Sequence, residues 1–322
     1  MKVGCVGAGG MIGGALVARL LADGHEVRAT DIKGLNDWWQ VHEAAHNWGH
    51  IDASRRHEAA FAVYGCDWVF DLAENMGGIA WISSERVACS ESIEIGINLL
   101  RESARAGVRR FFFASSACVY NTAIQGHTDV RGLKETDAWP AQPEEGYGLC
   151  KLYMEELCRH YQEDGLLDTR IARFHNVYGP PCSWNDGKEK SPAALARKVA
   201  EAKHTGSGKI EIWGDGRQSR SYCYLDDCVD GTLRLMAADF HDPLNIGSDD
   251  LITVNQLVSI FEEIAGVELE RIYNLDAPQG VRGRNADLTL CRQVLGWEPP
   301  TFLVHGLQRL YEWIETQVSR AQ

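Results

Sequence analysis

The 322-residue sequence has no apolar run approaching the roughly 20 residues that a membrane-spanning helix needs. It has no basic excess either: 32 Lys+Arg face 45 Asp+Glu, a formal charge of −13, which argues against nucleic acid as the main partner. Its ten cysteines contain no C-x-x-C pair, and no basic segment with an apolar stretch and small-residue cleavage site opens the chain. A disulfide framework and secretion are therefore not expected, and a cytoplasmic protein is. Tandem repeats and low-complexity tracts are also missing. What is present is 45% hydrophobic residues over a length suited to about two domains, enough for a sizeable core and too apolar for a disordered chain.

Short apolar runs alternate with helical patterns through the first half. Lys2 to Val6, Glu26 to Asp31, Trp68 to Leu72, Arg109 to Ala114 and Thr169 to Phe174 read as strands, and Met11 to Asp23, Ile93 to Ala106 and Tyr147 to Asp164 as helices. This alternation predicts an α/β, Rossmann-type doubly wound parallel sheet. After about residue 175, Gly179, Pro180, Pro181, Gly187 and Pro192 break the pattern. The expected division is a cofactor domain over 1–175, with 218–248 and in particular the run Tyr222 to Asp230 returning to it, and a smaller substrate lobe over most of 176–322.

Gly7, Gly10 and Gly13 follow the first strand and open the first helix, where a glycine-rich turn brings backbone N–H groups against a dinucleotide pyrophosphate. Gly7, Gly10, Met11, Ile12 and Gly13, with Leu72 at a neighbouring strand end, are the candidate cofactor residues. Asp31 sits where a carboxylate binds both adenosine ribose hydroxyls and repels a 2′-phosphate, which favours NAD. Asp52 is either a partner for the adenine amino group or a solvated loop carboxylate. Tyr147 and Lys151 share one helix face at a spacing of four and follow Ser115-Ser116 at a strand end. There an ammonium can lower a phenol pKa and hold a ribose hydroxyl. Alone, such a pair is common on protein surfaces.

The order GAGGMIG, SSACVY, YGLCK, FHNVYGP and WGDGRQSRSYCYLDD resembles the extended short-chain dehydrogenase/reductase family of nucleotide-sugar epimerases and dehydratases, over nearly the whole chain. Within it, NMGG (75–78), SSAC (115–118), KEKSPAA (188–194) and PQGVRGRNAD (278–287) are most similar to the branch that inverts C3 and C5 of GDP-mannose. The resemblance implies NAD as cofactor and GDP-L-galactose or GDP-L-gulose as product. It implies Tyr147, Lys151 and Ser116 acting at C4, and Cys118 and Lys190 as base and acid, with nearby lysines expected to favour the Cys118 thiolate. Substrate contacts would come from Gly77 and Gly78 through their N–H groups, Ser116, Asn176, Lys190, Lys198, Arg220 and Arg284, with Arg282 the alternative to Arg284. It also implies a homodimer built on paired helices.

Outside the family pattern, Cys118 reads as packing and Lys190 as a solvated charge. Trp213-Gly214-Asp215-Gly216 is either a turn covering the nucleotide or a hairpin. Glu74 and Asn121 depart from the family pattern, Glu74 near the expected cofactor–sugar cleft. His42, His46 and His50 recur every four residues and are expected on a partly buried helix face, with no metal bound. The competing readings are a C4 epimerase or dehydratase of another nucleotide sugar and, from a different class, a catalytically silent NAD-sensing module. The joint presence of Cys118 and Lys190 weighs against both.

Overall fold

Val3, Cys5 and Val6 are buried in β1 (Lys2–Val6), which has a parallel neighbour on each side. That is why the strand reads as a continuous apolar run rather than an alternating one. The computed structural model describes residues 1–321. From β1 the chain runs through α1 (Met11–Ala22), β2 (Glu26–Thr30), β3 (His46–Trp48), α2 (Arg56–Val63) and β4 (Trp68–Asp71). It continues through α3 (Ile79–Ser84), α4 (Arg86–Glu91), α5 (Ile93–Ala106), β5 (Arg110–Ser116), α6 (Tyr147–Glu163) and β6 (Asp168–Phe174).

The second half contributes β7 (Val177–Tyr178), α7 (Ser191–Thr205), β8 (Lys209–Trp213), β9 (Ser219–Ser221), β10 (Cys223–Tyr224), α8 (Leu225–Ala237) and β11 (Leu244–Ile246). After these come β12 (Leu251–Thr253), α9 (Val254–Ala265), β13 (Glu270–Asn274), β14 (Gly283–Arg284), α10 (Thr289–Leu295) and α11 (Leu303–Arg320). Seven strands form one parallel sheet in the order β11-β6-β5-β4-β1-β2-β3. The strand order reverses between β1 and β4, which opens a crevice at their carboxyl ends. One face of the sheet is covered by α2, α5 and α6, whose core includes Leu99, Phe111 and Ile171. The other is covered by α1 and α8, around Leu16, Phe70 and Met236.

The run Tyr222 to Asp230 does not enter the main sheet. Cys223 and Tyr224 pair with Val177 and Tyr178 in a separate ladder and then α8 begins. The strand that returns is Leu244–Ile246, which follows α8 and pairs in parallel with β6. Ala286, Leu288, Cys291 and Trp297 also pack into the core of the main sheet, so late sequence serves the first domain too. The smaller lobe packs α7, α9 and α11 around Val199, Leu257, Phe261 and Leu310.

Trp213-Gly214-Asp215-Gly216 is not a hairpin, since β8 pairs with β13 while β9 pairs with β12 and β14. The histidine run is not helical: His46 lies in β3, while His42 and His50 lie in the segments that flank it. Short extended pairing against β2 overrides the four-residue spacing there. His42 Nε2 lies 3.0 Å from the Gly14 carbonyl, and His46 faces Glu26. Among the described residues no group of three or more His, Cys, Asp or Glu is arranged to hold a metal ion. No helix is long and apolar enough to cross a membrane.

Candidate active site

At the crevice, Gly7 adopts φ +88°, and a Cβ there would lie 2.7 Å from the backbone carbon of Leu72. Only glycine allows β1 to turn into α1 so close to the end of β4. A side chain at Gly13 would collide with the Gly7 carbonyl. Met11, Ile12 and Gly13 therefore form the first turn of α1, whose N–H groups have no intrahelical partner. Asp31 follows β2 and is buried; its Oδ2 accepts from the Gly9 N–H at 2.9 Å and its Oδ1 from the Lys33 N–H at 3.0 Å. Each oxygen keeps acceptor capacity for a hydroxyl. This cradle fits a dinucleotide. Asp52 follows Ile51, whose N–H bonds the Asp31 carbonyl at 2.9 Å, and it accepts from the Ser54 N–H and hydroxyl at 3.1 and 2.6 Å and faces Arg55.

Alternation along β5 separates the two serines at its end. Ser115 turns into the core and bonds Glu155, which pairs with Arg173 at 2.6 Å. Ser116 faces the cleft, where its Oγ accepts from the Cys118 N–H at 3.2 Å and acts to lower the pKa of the Tyr147 phenol. Tyr147 begins α6, and one turn on, Lys151 Nζ lies 5.7 Å from the Tyr147 ring centroid. Lys151 donates to the Ala114 carbonyl at 2.9 Å and is ion-paired with Glu74. Burial, and next the Glu74 carboxylate, hold the Tyr147 phenol well above its ordinary pKa.

Cys118 is buried on the short turn after β5, and the cation in contact with its sulfur is an arginine. Arg284 Nη1 lies 3.4 Å from its sulfur, and Arg284 also bonds Glu144 and, at 2.8 Å, Gln125 Oε1. Burial pushes the thiol pKa up, Glu144 adds to this and Arg284 opposes it. Burial thus works against the Cys118 thiolate, and Arg284, shared with Glu144, works for it. Lys190, just before α7, is near enough for Cys118 to favour its charge, while burial lowers its pKa.

The substrate candidates divide in the same way. Pairing of β9 with β14 sets Arg220 beside Arg284. Arg220 donates to the carbonyls of Ser219 and Val281, both at 2.7 Å, and its pKa falls to about 10 through burial and then the neighbouring guanidinium. Two adjacent cations, Arg284 buried and Arg220 half-buried, form a place for an anionic group. Arg282 faces elsewhere, held bidentately by Asp215 at 3.0 Å. Asn176, at φ +41°, donates to the Ser221 carbonyl at 2.9 Å. Lys198 is paired with Glu211 at 3.1 Å, its ammonium 5.5 Å from the Trp213 ring centroid.

Gly78 does not offer a free N–H to a sugar. It donates to the Lys188 carbonyl at 2.9 Å, and a Cβ at Gly77 would meet Trp81 at 2.8 Å and the Lys188 Cα at 3.1 Å. The two glycines let segment 75–78 pack flat against 188–190, the segment that carries Lys190. Glu144 and Gln125, which no local pattern distinguishes from other loop residues, are gathered at Cys118 only by long-range folding. Asn121 meets this cluster through its carbonyl, which accepts from Gln125 Nε2 at 3.2 Å, while its side chain caps the following turn and donates to the Pro140 carbonyl at 2.9 Å.

Residues 5–247 match the NAD dependent epimerase/dehydratase family. The chain is 41% identical to GDP-mannose 3,5-epimerase 1 of Oryza sativa subsp. japonica, over 99% of this chain and 83% of that protein. It is 40% identical to GDP-mannose 3,5-epimerase of Arabidopsis thaliana, over 99% and 84%. Among solved structures, UDP-glucose 4-epimerase of Thermotoga maritima, in a structure with UDP-glucose, superposes with a TM-score of 0.87 at 25% identity, covering 99% of this chain and 100% of that one.

Proposed function

The chain belongs to the NAD dependent epimerase/dehydratase family, and from that premise we propose that it inverts C3 and C5 of GDP-mannose, yielding GDP-L-galactose, or GDP-L-gulose where only C5 inverts. Gly7, Gly10, Met11, Ile12, Gly13, Leu72 and Asp31 hold NAD, with Tyr147 and Lys151 at its nicotinamide end. Bound NAD supplies the reversible oxidation of the sugar at C4. Tyr147 Oη accepts the proton of the C4 hydroxyl, with Ser116 orienting that hydroxyl and Lys151 stabilising the phenolate. A ketone at C4 acidifies the protons on C3 and C5. Cys118 Sγ, as thiolate, removes one from one ring face, and Lys190 Nζ delivers another to the opposite face. The thiolate and ammonium then become thiol and amine, the two neutral forms that burial favours. Arg220 and Arg284 suit the diphosphate and sugar hydroxyls.

The observation that carries this reading is the clustering of buried Cys118 and Tyr147 with Ser116 and Lys151, against which the segment carrying Lys190 is held by its packing on Gly77 and Gly78. The reading includes a homodimer and a reducing, cytoplasmic setting, the latter supported by ten cysteines that are all free. The test is incubation of NAD-loaded protein with GDP-mannose in deuterium oxide, with NMR and mass analysis of C3 and C5. Deuterium should enter at C5 and C3 in the wild type and fall at least about 100-fold in Cys118→Ala. No exchange despite bound NAD would reject GDP-mannose as substrate.

A further inference from the structure

Lys151 does not stand alone in the cleft. Its ammonium has three N–H donors; one bonds the Ala114 carbonyl at 2.9 Å and another meets the Glu74 carboxylate. The other oxygen of Glu74 lies against the Ser92 hydroxyl, whose single proton is shared between this carboxylate and the Cys89 carbonyl at 2.7 Å. The pair is nearly sealed from solvent, with 6% of the Lys151 side chain and 14% of the Glu74 side chain exposed. A contact this buried is not screened as a surface ion pair would be. We infer that Glu74 is a positioning residue for the C4 step: it fixes the Lys151 ammonium between the Ala114 carbonyl and its own carboxylate, and it cancels part of that ammonium's field at the Tyr147 hydroxyl.

The groups facing Glu74 come from every element around it: Asp71 at the end of β4, Cys89 on α4, Ser92 before α5, and Tyr147, Cys150 and Lys151 on α6. Lys151 is the one cation among them. Glu74 raises the pKa of each of the four acidic partners, Asp71, Cys89, Tyr147 and Cys150. The electrostatic surroundings of Tyr147 are completed by Cys118 and Glu144, which act in the same direction, and by Ser116, which opposes them. A carboxylate in this position makes the enzyme one that releases the phenol proton at higher pH than its Tyr–Lys pair would set. It also leaves Lys151 with one N–H free for a ribose hydroxyl, so its loss need not weaken cofactor binding.

The inference rests on the epimerase reading for the role of Tyr147, but its primary test involves no sugar. NAD-loaded wild type, Glu74→Gln and Glu74→Ala are titrated by ultraviolet phenolate absorbance, each against the same protein carrying Tyr147→Phe to isolate one phenol. Glu74→Gln keeps hydrogen bonds to Ser92 and removes the charge. The Tyr147 titration should fall by about one to two pH units in both variants, with NAD affinity unchanged or tighter. The low-pH limb of deuterium exchange into GDP-mannose should move the same way. A Tyr147 titration that stays in place or rises in either variant, or NAD binding lost in both, overturns the inference. If the titration shifts while GDP-mannose gives no exchange in any protein, the substrate assignment fails and the role of Glu74 stands.

Discussion

Asp71 shows how one side chain in this cleft costs the fold stability. It is buried at the end of β4, and burial, opposed by Lys151 and reinforced by Glu74, pushes its pKa up to about 7 from an ordinary carboxylate value of 3.8. The folded protein therefore binds this proton more tightly than the unfolded chain does. The resulting stability is fully present below the unfolded pKa and is lost as pH rises through about 7. Asp71→Asn removes the ionisable group at nearly constant volume. In urea denaturation at about pH 8 the variant should be more stable than wild type by about 1–3 kcal/mol, with the difference vanishing near about pH 4. A constant difference across that range would show that Asp71 ionises as freely in the fold as out of it. Cys118 follows the same logic with a functional result: burial and Glu144 raise the thiol pKa, and Arg284 beside it works towards the thiolate that a base requires.

The contact between segments 75–78 and 188–190 fixes the position of Lys190. The Gly78 N–H bonds the Lys188 carbonyl, and a Cβ at Gly78 would strike the Glu189 carbonyl oxygen, a backbone atom that can yield only by moving the segment. Gly78→Ala should displace Lys190 from the sugar face while leaving the Rossmann crevice intact. Expected are a fall in kcat of about 100-fold, as for a misplaced catalytic group, unchanged NAD affinity, and a Tm within a few degrees of wild type. Loss of NAD binding would mean that the segment supports the cofactor instead. This contact also marks what local sequence could reveal. β1 and α5 match their expected bounds, and the other strands and helices named from the first half match to within two residues at each end, because hydrophobic periodicity is a local signal. The spacing of Tyr147 and Lys151 is equally local. The two- and three-residue ladders of the second half, the Arg284–Glu144 pair and the Glu74–Lys151 pair join positions far apart in sequence, so no window of residues contains them. The histidine run failed for the opposite reason: a local spacing was overridden by pairing with β2.

At the scale of the whole molecule, the acidic surface, consistent with a formal charge of −13, makes exposed apolar groups on neighbouring helices conspicuous. Leu149 and Tyr153, one turn apart on α6, are 57% and 53% exposed, and Val87 on the adjoining α4 is 71% exposed. Side chains at a spacing of four lie on one face. Two copies related by a twofold axis would bury each of them twice, at about 1.5–3 kcal/mol for every side chain withdrawn from water. The proposed homodimer uses this face, with α6 of one protomer against its partner. Sedimentation equilibrium should therefore report a dimer at micromolar protein. The double variant Leu149→Glu, Tyr153→Glu should sediment as a monomer with its circular dichroism unchanged, because both positions face solvent within a single chain and the new carboxylates would repel their symmetry mates. A wild type that sediments as a monomer would remove this face from the assembly, and a double variant that still dimerises would move the interface elsewhere on the surface.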